Sequence, residues 1–260
     1  MDLFLTGKKV LITGASQGIG EALAKTLAEE GCDLHLVARS GDKLEAIKAE
    51  ILKDHKVSVT VQALDLTKEG AIEEVLQAAG DIDVLVNNAG VIPSGSLWDV
   101  DEKRWREGWE LKVFGYINMT RAVYAKMKAN GGGVIINNIG NGGEVFDPQY
   151  VAGTTGNASL MAFTRAMGGH SLDDNIRVVG VNPGPVDTDR IYNMLKKRSA
   201  SMFGSEDRYK ELEARYPLGR PAHMSEVVDL IVFLASKRSG YTSGTILTVD
   251  GGIASRRSII

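Results

Sequence analysis

Short aliphatic and β-branched runs alternate along the chain with longer segments whose apolar residues recur every three or four positions. The short runs are KKVLIT (8–13), CDLHLVA (32–38), VSVTVQAL (57–64), IDVLVNN (82–88), GVIINNI (133–139), IRVVGVN (176–182) and GTILTVD (244–250). The helical spacing is clearest in GEALAKTLAEEG (20–31), DKLEAIKAEILKDH (42–55), KEGAIEEVLQAAG (68–80) and MSEVVDLIVFLAS (224–236), each broken by Gly or a polar turn. Strands that are apolar on both faces belong in a buried parallel sheet, and parallel neighbours need helical crossovers. Seven strands alternating with about six helices predict a doubly wound α/β fold. No linker, composition shift or internal repeat divides the chain, so residues 1–260 are read as a single domain. One stretch breaks the rhythm: residues 189–220 are long, charged and aromatic, with no strand. A connection of that length directly after a strand end suits an active-site lid better than a solvated helix pair. Its Tyr192, Met194, Met202 and Phe203 suit either an apolar, mobile pocket wall or ordinary packing.

Composition narrows the function. With 30 Lys+Arg against 33 Asp+Glu, a net charge of −3 and 43% hydrophobic residues, the chain is neither disordered nor an electrostatically driven nucleic-acid binder. Glycine is the outlier, 30 of 260 residues, which points to tight turns or close backbone approach to a ligand. The lone cysteine, Cys32, excludes an internal disulfide and fits a reducing, cytoplasmic setting. The start, MDLFLTGKKV, reads as no signal peptide, and no apolar run is long enough to span a membrane. The four histidines form no HxH or HExxH pair, so no metal site is expected.

The first strand runs through Thr13-Gly14-Ala15-Ser16-Gln17-Gly18-Ile19-Gly20 into a helix. Such a strand–glycine turn–helix unit presents backbone N–H groups and a helix N-terminus to a pyrophosphate. No GxxxxGK[ST] occurs, which excludes Walker-type binding. TGASQGIG, Asp65 at the end of the third strand, Asn87-Asn88-Ala89-Gly90, NPGPVDT (182–188) and YTSGTILTVDGG, in this order and spacing, together resemble the short-chain dehydrogenase/reductase family from about Lys8 to Gly252. The resemblance implies a Rossmann fold with a seven-stranded parallel sheet and helices on both faces, a nicotinamide cofactor and commonly a homotetramer. It assigns Gly14, Ser16, Gly18, Ile19 and Gly20 to the pyrophosphate and ribose, and Asp65 and Leu66 to the adenine. Asn87, Ala89 and Gly90 would meet the adjoining ribose, and Pro183, Val186 and Thr188 the nicotinamide carboxamide.

The end of the second strand, about 20 positions beyond the loop, meets the adenosine ribose; an acid there binds a 2′-hydroxyl, an arginine a 2′-phosphate. The sequence has Arg39 and Ser40 and no acid, so NADP(H) is expected over NAD(H).

The family's catalytic set is a serine after the fifth strand, a tyrosine and lysine spaced YxxxK, and an asparagine in the preceding helix. Tyr150 is retained as proton donor and acceptor, but Thr154 stands in the lysine position. The serine position reads Asn138-Ile139-Gly140-Asn141, without a hydroxyl, and the asparagine position is Lys112. With a free pKa of about 10, only about one tyrosine in a thousand is phenolate at neutrality. Loss of the lysine therefore harms alcohol oxidation more than carbonyl reduction. Thr154 and Asn157 share the helical face of Tyr150 and could turn to the ribose. Asn141 could donate to the substrate oxygen in place of the serine, and Lys112 is either a relocated cation beside Tyr150 or a lysine on a helix face. Two functions follow. One is an NADP(H)-dependent oxidoreductase moving hydride between nicotinamide and a small carbonyl or secondary alcohol, without nucleic-acid or membrane partners. The other is a catalytically silent NADP(H)-binding sensor or scaffold. Retention of Tyr150 among polar replacements favours the enzyme.

Overall fold

A computed structural model describes residues 1–256. Seven strands, β1 (Lys9–Thr13), β2 (Asp33–Ala38), β3 (Val59–Ala63), β4 (Val84–Asn87), β5 (Gly133–Asn138), β6 (Ile176–Pro183) and β7 (Ile246–Val249), form one sheet in the order β3-β2-β1-β4-β5-β6-β7. Every pairing is parallel, with registers such as Val10↔Val84 and Val84↔Val134. The central strands are buried on both faces, whereas β3 and β7, at the edges, carry exposed and half-buried positions. That is why the inner strands read as continuous apolar runs and the outer ones do not.

Among the described residues nine α-helices cross between them: α1 (Gly18–Glu29), α2 (Gly41–Asp54), α3 (Ala71–Ala79), α4 (Glu102–Trp109), α5 (Gly115–Ala129), α6 (Val151–Gly168), α7 (Asp189–Phe203), α8 (Tyr209–Glu213) and α9 (Met224–Ala235). One core layer packs Leu23, Leu27, Leu44, Val227 and Ile231 of α1, α2 and α9 onto β1, β2 and β6. The opposite layer packs Val75, Met119, Val123 and Met127 of α3 and α5 onto β1, β4 and β5. Between α4 and α5 the chain widens into a π-helical turn, Glu110–Phe114, continuous with both. Such turns are rare and concentrate at functional sites. The irregular stretch 189–220 is itself helical, α7 and α8 joined by short 3₁₀ turns, with α7 capped by the Thr188 hydroxyl.

The histidine and cysteine chemistry is structural. Buried His35 bonds Thr60 and Gln62 through its two ring nitrogens. Burial pushes the Cys32 thiol up to about 12. Among the described residues no group of three His, Cys, Asp or Glu side chains could hold a metal, and no helix is long and apolar enough to cross a membrane.

Candidate active site

The topology reverses between β1 and β4, opening the crevice at the carboxyl ends where such sheets take ligands. Gly14 (φ +68°) lies so close to the β4 loop that a Cβ would come 2.7 Å from Ala89 Cα, and one on Gly20 would strike the Gly14 carbonyl oxygen. Both glycines are therefore required by backbone contact. Asn88 locks the loops together: its Nδ2 donates to the Thr13 and Gly14 carbonyls, and its backbone N–H donates to Thr13 Oγ1, as does that of Ala89. Gly18 opens α1 in a left-handed conformation and faces Thr188, with 3.7 Å between an added Cβ and Thr188 Cγ2. A glycine cradle at the N-terminus of a twelve-residue helix, walled by Thr188, fits a dinucleotide pyrophosphate.

At the tip of β2, Arg39 and Ser40 are exposed. Asp65 opposite accepts from the Thr67 N–H and hydroxyl, which hold its carboxyl below the usual range; the charges of Lys68 and Arg39 add to this. Lys43, in the first turn of α2, donates to Gln17 of the glycine loop at 3.3 Å. It thus brings a second cation to the glycine loop.

The catalytic candidates converge at the ends of β4 and β5. Tyr150 caps α6 and its ring folds onto the helix: a Cβ on Gly153 would fall inside that ring, and one on Gly142 would lie 3.1 Å from Tyr150 Cε1. Lys112, in the π turn, is 8% exposed. Its stem lies on Gly90, where an added Cβ would meet Lys112 Cδ at 2.7 Å, and its Nζ donates to the Ile139 carbonyl just beyond β5. Burial, and secondarily the charge of Arg190, lower its pKa to about 7. A glycine at 90 and a π turn at 112 together admit a buried amine to the floor of the crevice.

Comparison with known proteins fits this geometry. A family profile described as Enoyl-(Acyl carrier protein) reductase matches residues 14–254. The chain belongs to the short-chain dehydrogenase/reductase family. This short-chain dehydrogenase/reductase is 33% identical over 252 residues to the oxidoreductase UcpA of Salmonella typhimurium, covering 95% of each chain. It is 34% identical to glucose 1-dehydrogenase of Gluconobacter oxydans, covering 95% of this chain and 92% of that one. The crystal structure of L-sorbose reductase from Gluconobacter frateurii, complexed with NADPH and L-sorbose, superposes over 100% of both chains with a TM-score of 0.91 at 30% identity. A 7α-hydroxysteroid dehydrogenase complexed with NADH also superposes, with a TM-score of 0.84 at 26% identity and 96% coverage of each chain. The relatives are oxidoreductases of alcohol and carbonyl groups that use a nicotinamide cofactor.

Within this member of the family, not every expected residue reaches the crevice. Asn87 is 1% exposed and its Nδ2 donates to Thr120 and Asn137. Its side chain braces the end of β4 in the core, leaving Asn88 and Gly90 on the crevice side. Asn141 does not turn to Tyr150; its Nδ2 donates to Asp250 at 3.2 Å and ties the β5 loop to the turn after β7. Thr154 does stay on the Tyr150 face, its Oγ1 buried and without a hydrogen-bond partner among the described residues. Leu66 packs partly against the core, and Thr188 caps α7. Pro183 ends β6 and Val186 pairs with Ala222. In the 189–220 stretch, Tyr192 packs edge-on against Tyr209 and Phe203 lies beneath the Arg208 guanidinium; Met194 and Met202 are exposed.

The geometry adds Lys43 to the site and turns Asn157 another way. Lys43 escaped because only the fold folds α2 back onto the loop. Asn157, 3% exposed, had been read toward the ribose, yet its Nδ2 faces Gly140 and Gly142 instead, 3.3 and 3.2 Å from added Cβ atoms.

Proposed function

We propose that this protein is an NADP(H)-dependent reductase of a small carbonyl compound, with Tyr150 as the acid and Lys112 as the relocated cation of the proton relay. One observation carries the reading: a buried amine ends at the Ile139 carbonyl just past β5, three residues before Gly142, beside which the Tyr150 ring lies. When bound, the nicotinamide supplies the hydride to the carbonyl carbon. Tyr150 gives its proton to the carbonyl oxygen, and the Thr154 hydroxyl, without a hydrogen-bond partner among the described residues, is available to the ribose. The 189–220 stretch, which follows directly on the β6 end, would close over substrate and exclude water. The bound NADPH and L-sorbose of the Gluconobacter frateurii structure make ketoses natural first substrates, beside simple ketones and diketones.

Arg39, Ser40 and Lys43 support the choice of cofactor. NADPH is expected to bind at least several-fold more tightly than NADH. Arg39→Ala should remove most of that difference, an arginine–phosphate contact contributing about 1.5–3 kcal/mol. Fluorescence titration reads both affinities, and equal binding of the two cofactors by the unmodified protein refutes the assignment. NADPH oxidation on the carbonyl panel tests the reductase itself. The lysine-to-threonine exchange at Thr154 favours one other reading, a silent NADP(H)-binding sensor, for which NADPH binds and nothing in the panel is reduced.

A further inference from the structure

Deepening the reductase reading and resting on it, a second group acts on the oxygen that Tyr150 protonates. Three facts locate it. First, Gly140 stands just after β5 in a conformation (φ +119°) with no side chain to offer, and a Cβ there would point at Asn157 Nδ2, 3.3 Å away. The amide occupies the space that a side chain at 140 would claim. Second, Asn141, the other amide of that loop, is turned away onto Asp250. Third, Tyr150, Gly153 and Asn157 form one stripe along α6, spaced at three and four residues. The far end of the Tyr150 ring, at Cζ, lies over Gly153, one turn of α6 before Asn157. Gly142 closes the arrangement from above: one point, its absent Cβ, is 3.1 Å from Tyr150 Cε1 and 3.2 Å from Asn157 Nδ2.

Asn157 is 3% exposed, and among the described residues neither its buried Oδ1 nor its Nδ2 has a hydrogen-bond partner, so the N–H groups are unspent. Buried amides are ordinarily satisfied, and an exception calls for an explanation. A core asparagine of this fold can be satisfied fully, as Asn87 and Asn137 are by each other and by Thr120 and Thr164.

We infer that Asn157 donates its amide N–H to the substrate carbonyl oxygen, sharing that oxygen with the Tyr150 hydroxyl and stabilising the negative charge that develops there as hydride arrives. No bond to Asn157 forms or breaks: hydride from the nicotinamide reaches the carbon, the proton from Tyr150 reaches the oxygen, and the amide holds that oxygen in place. The glycines at 140, 142 and 153 are then parts of one device. They clear the space in which a helix amide does the work of the missing loop hydroxyl.

The test uses the whole protein with saturating NADPH and a panel of L-sorbose, 2,3-butanedione and cyclohexanone, comparing Asn157→Ala, Asn157→Asp and Asn157→Ser. Removing one preorganised donor of this kind costs about 10²- to 10³-fold in kcat. Asn157→Ala is expected to lose about that much, with NADPH affinity and melting temperature close to the parent. Asn157→Asp keeps the shape without the N–H and should be no better than alanine. Asn157→Ser, which restores a short donor, should recover part of the loss in kcat. A purely packing role predicts instead that aspartate and serine follow stability, with kcat per folded molecule unchanged. Asn157→Ala retaining more than half of kcat overturns the inference, and so does serine recovering nothing while aspartate does. Absence of turnover by the parent protein across the panel overturns the reductase reading and this inference together, before any variant is compared.

Discussion

Tyr150→Phe is expected to lower kcat for NADPH-dependent carbonyl reduction by roughly two to four orders of magnitude, the worth of a positioned acid. Phenylalanine fills the same slot over Gly153 and beneath Gly142. The backbone around it is also independent of the hydroxyl, since the Tyr150 N–H bonds the Asp147 carbonyl and the Tyr150 carbonyl accepts from Thr154. NADPH titration should therefore give an unchanged affinity, with the loss confined to turnover. Full activity in Tyr150→Phe means that another group carries the proton.

The second large effect is on stability, at Lys112. Its pKa is lowered by burial first and by Arg190 second, to about 7 from an ordinary 10.5. Between these values the unfolded chain binds more protons than the folded one, so stability rises with pH through that window. Above about 10.5 the amine is neutral in both states and costs nothing. Below about pH 7 the full cost is reached, on the order of 5 kcal/mol at 1.36 kcal/mol per pKa unit. Lys112→Met keeps a straight stem over Gly90 and removes the charge, but it strands the Ile139 carbonyl, a loss of about 1–3 kcal/mol. At pH 6 the variant should be more stable than the parent by about 2–4 kcal/mol. Above pH 10.5 the sign should reverse, because only the lost hydrogen bond remains. Urea denaturation of both proteins at the two pH values reads the crossover. A pH-independent difference shows Lys112 to be solvated in the native state. A crossover of this kind is what an amine kept for chemistry rather than stability is expected to show.

Much of the architecture was legible because the signals are local. Buried strands such as β1 and β6 announce themselves as unbroken aliphatic runs, and α1 and α9 by their period; the boundaries shifted by only a few residues. The glycine loop was legible for a related reason, since Gly14 and Gly20 answer to single backbone contacts with Ala89 and with each other. The catalytic centre was only half legible. Tyr150 and the absence of its lysine are visible in the string, but the direction of a side chain is not. Asn141 and Asn157 carry the same amide. Asp250, 109 residues further along the chain from Asn141, decides that one of them faces away. Lys112 on an ordinary helix has two orientations open to it; the π turn at Glu110–Phe114 and the bare backbone of Gly90 select the buried one. Neither leaves a mark in hydrophobic periodicity. Lys43 meets Gln17 across a helix-to-loop contact that spacing along the chain does not encode.

If the cation has moved from α6 to the π turn without loss of the chemistry, turnover must depend on Lys112. The most direct measurement is kcat for NADPH oxidation by Lys112→Met beside the double variant Lys112→Met, Thr154→Lys, on whichever carbonyl of the panel the parent reduces. Thr154 is one helical turn beyond Tyr150, with its Oγ1 buried and unpartnered, so a lysine there can return an ammonium to the same crevice from the other wall. The predicted result is a loss of at least tenfold in the single variant, of which the double variant recovers a substantial part. Unchanged kcat in Lys112→Met would contradict the account.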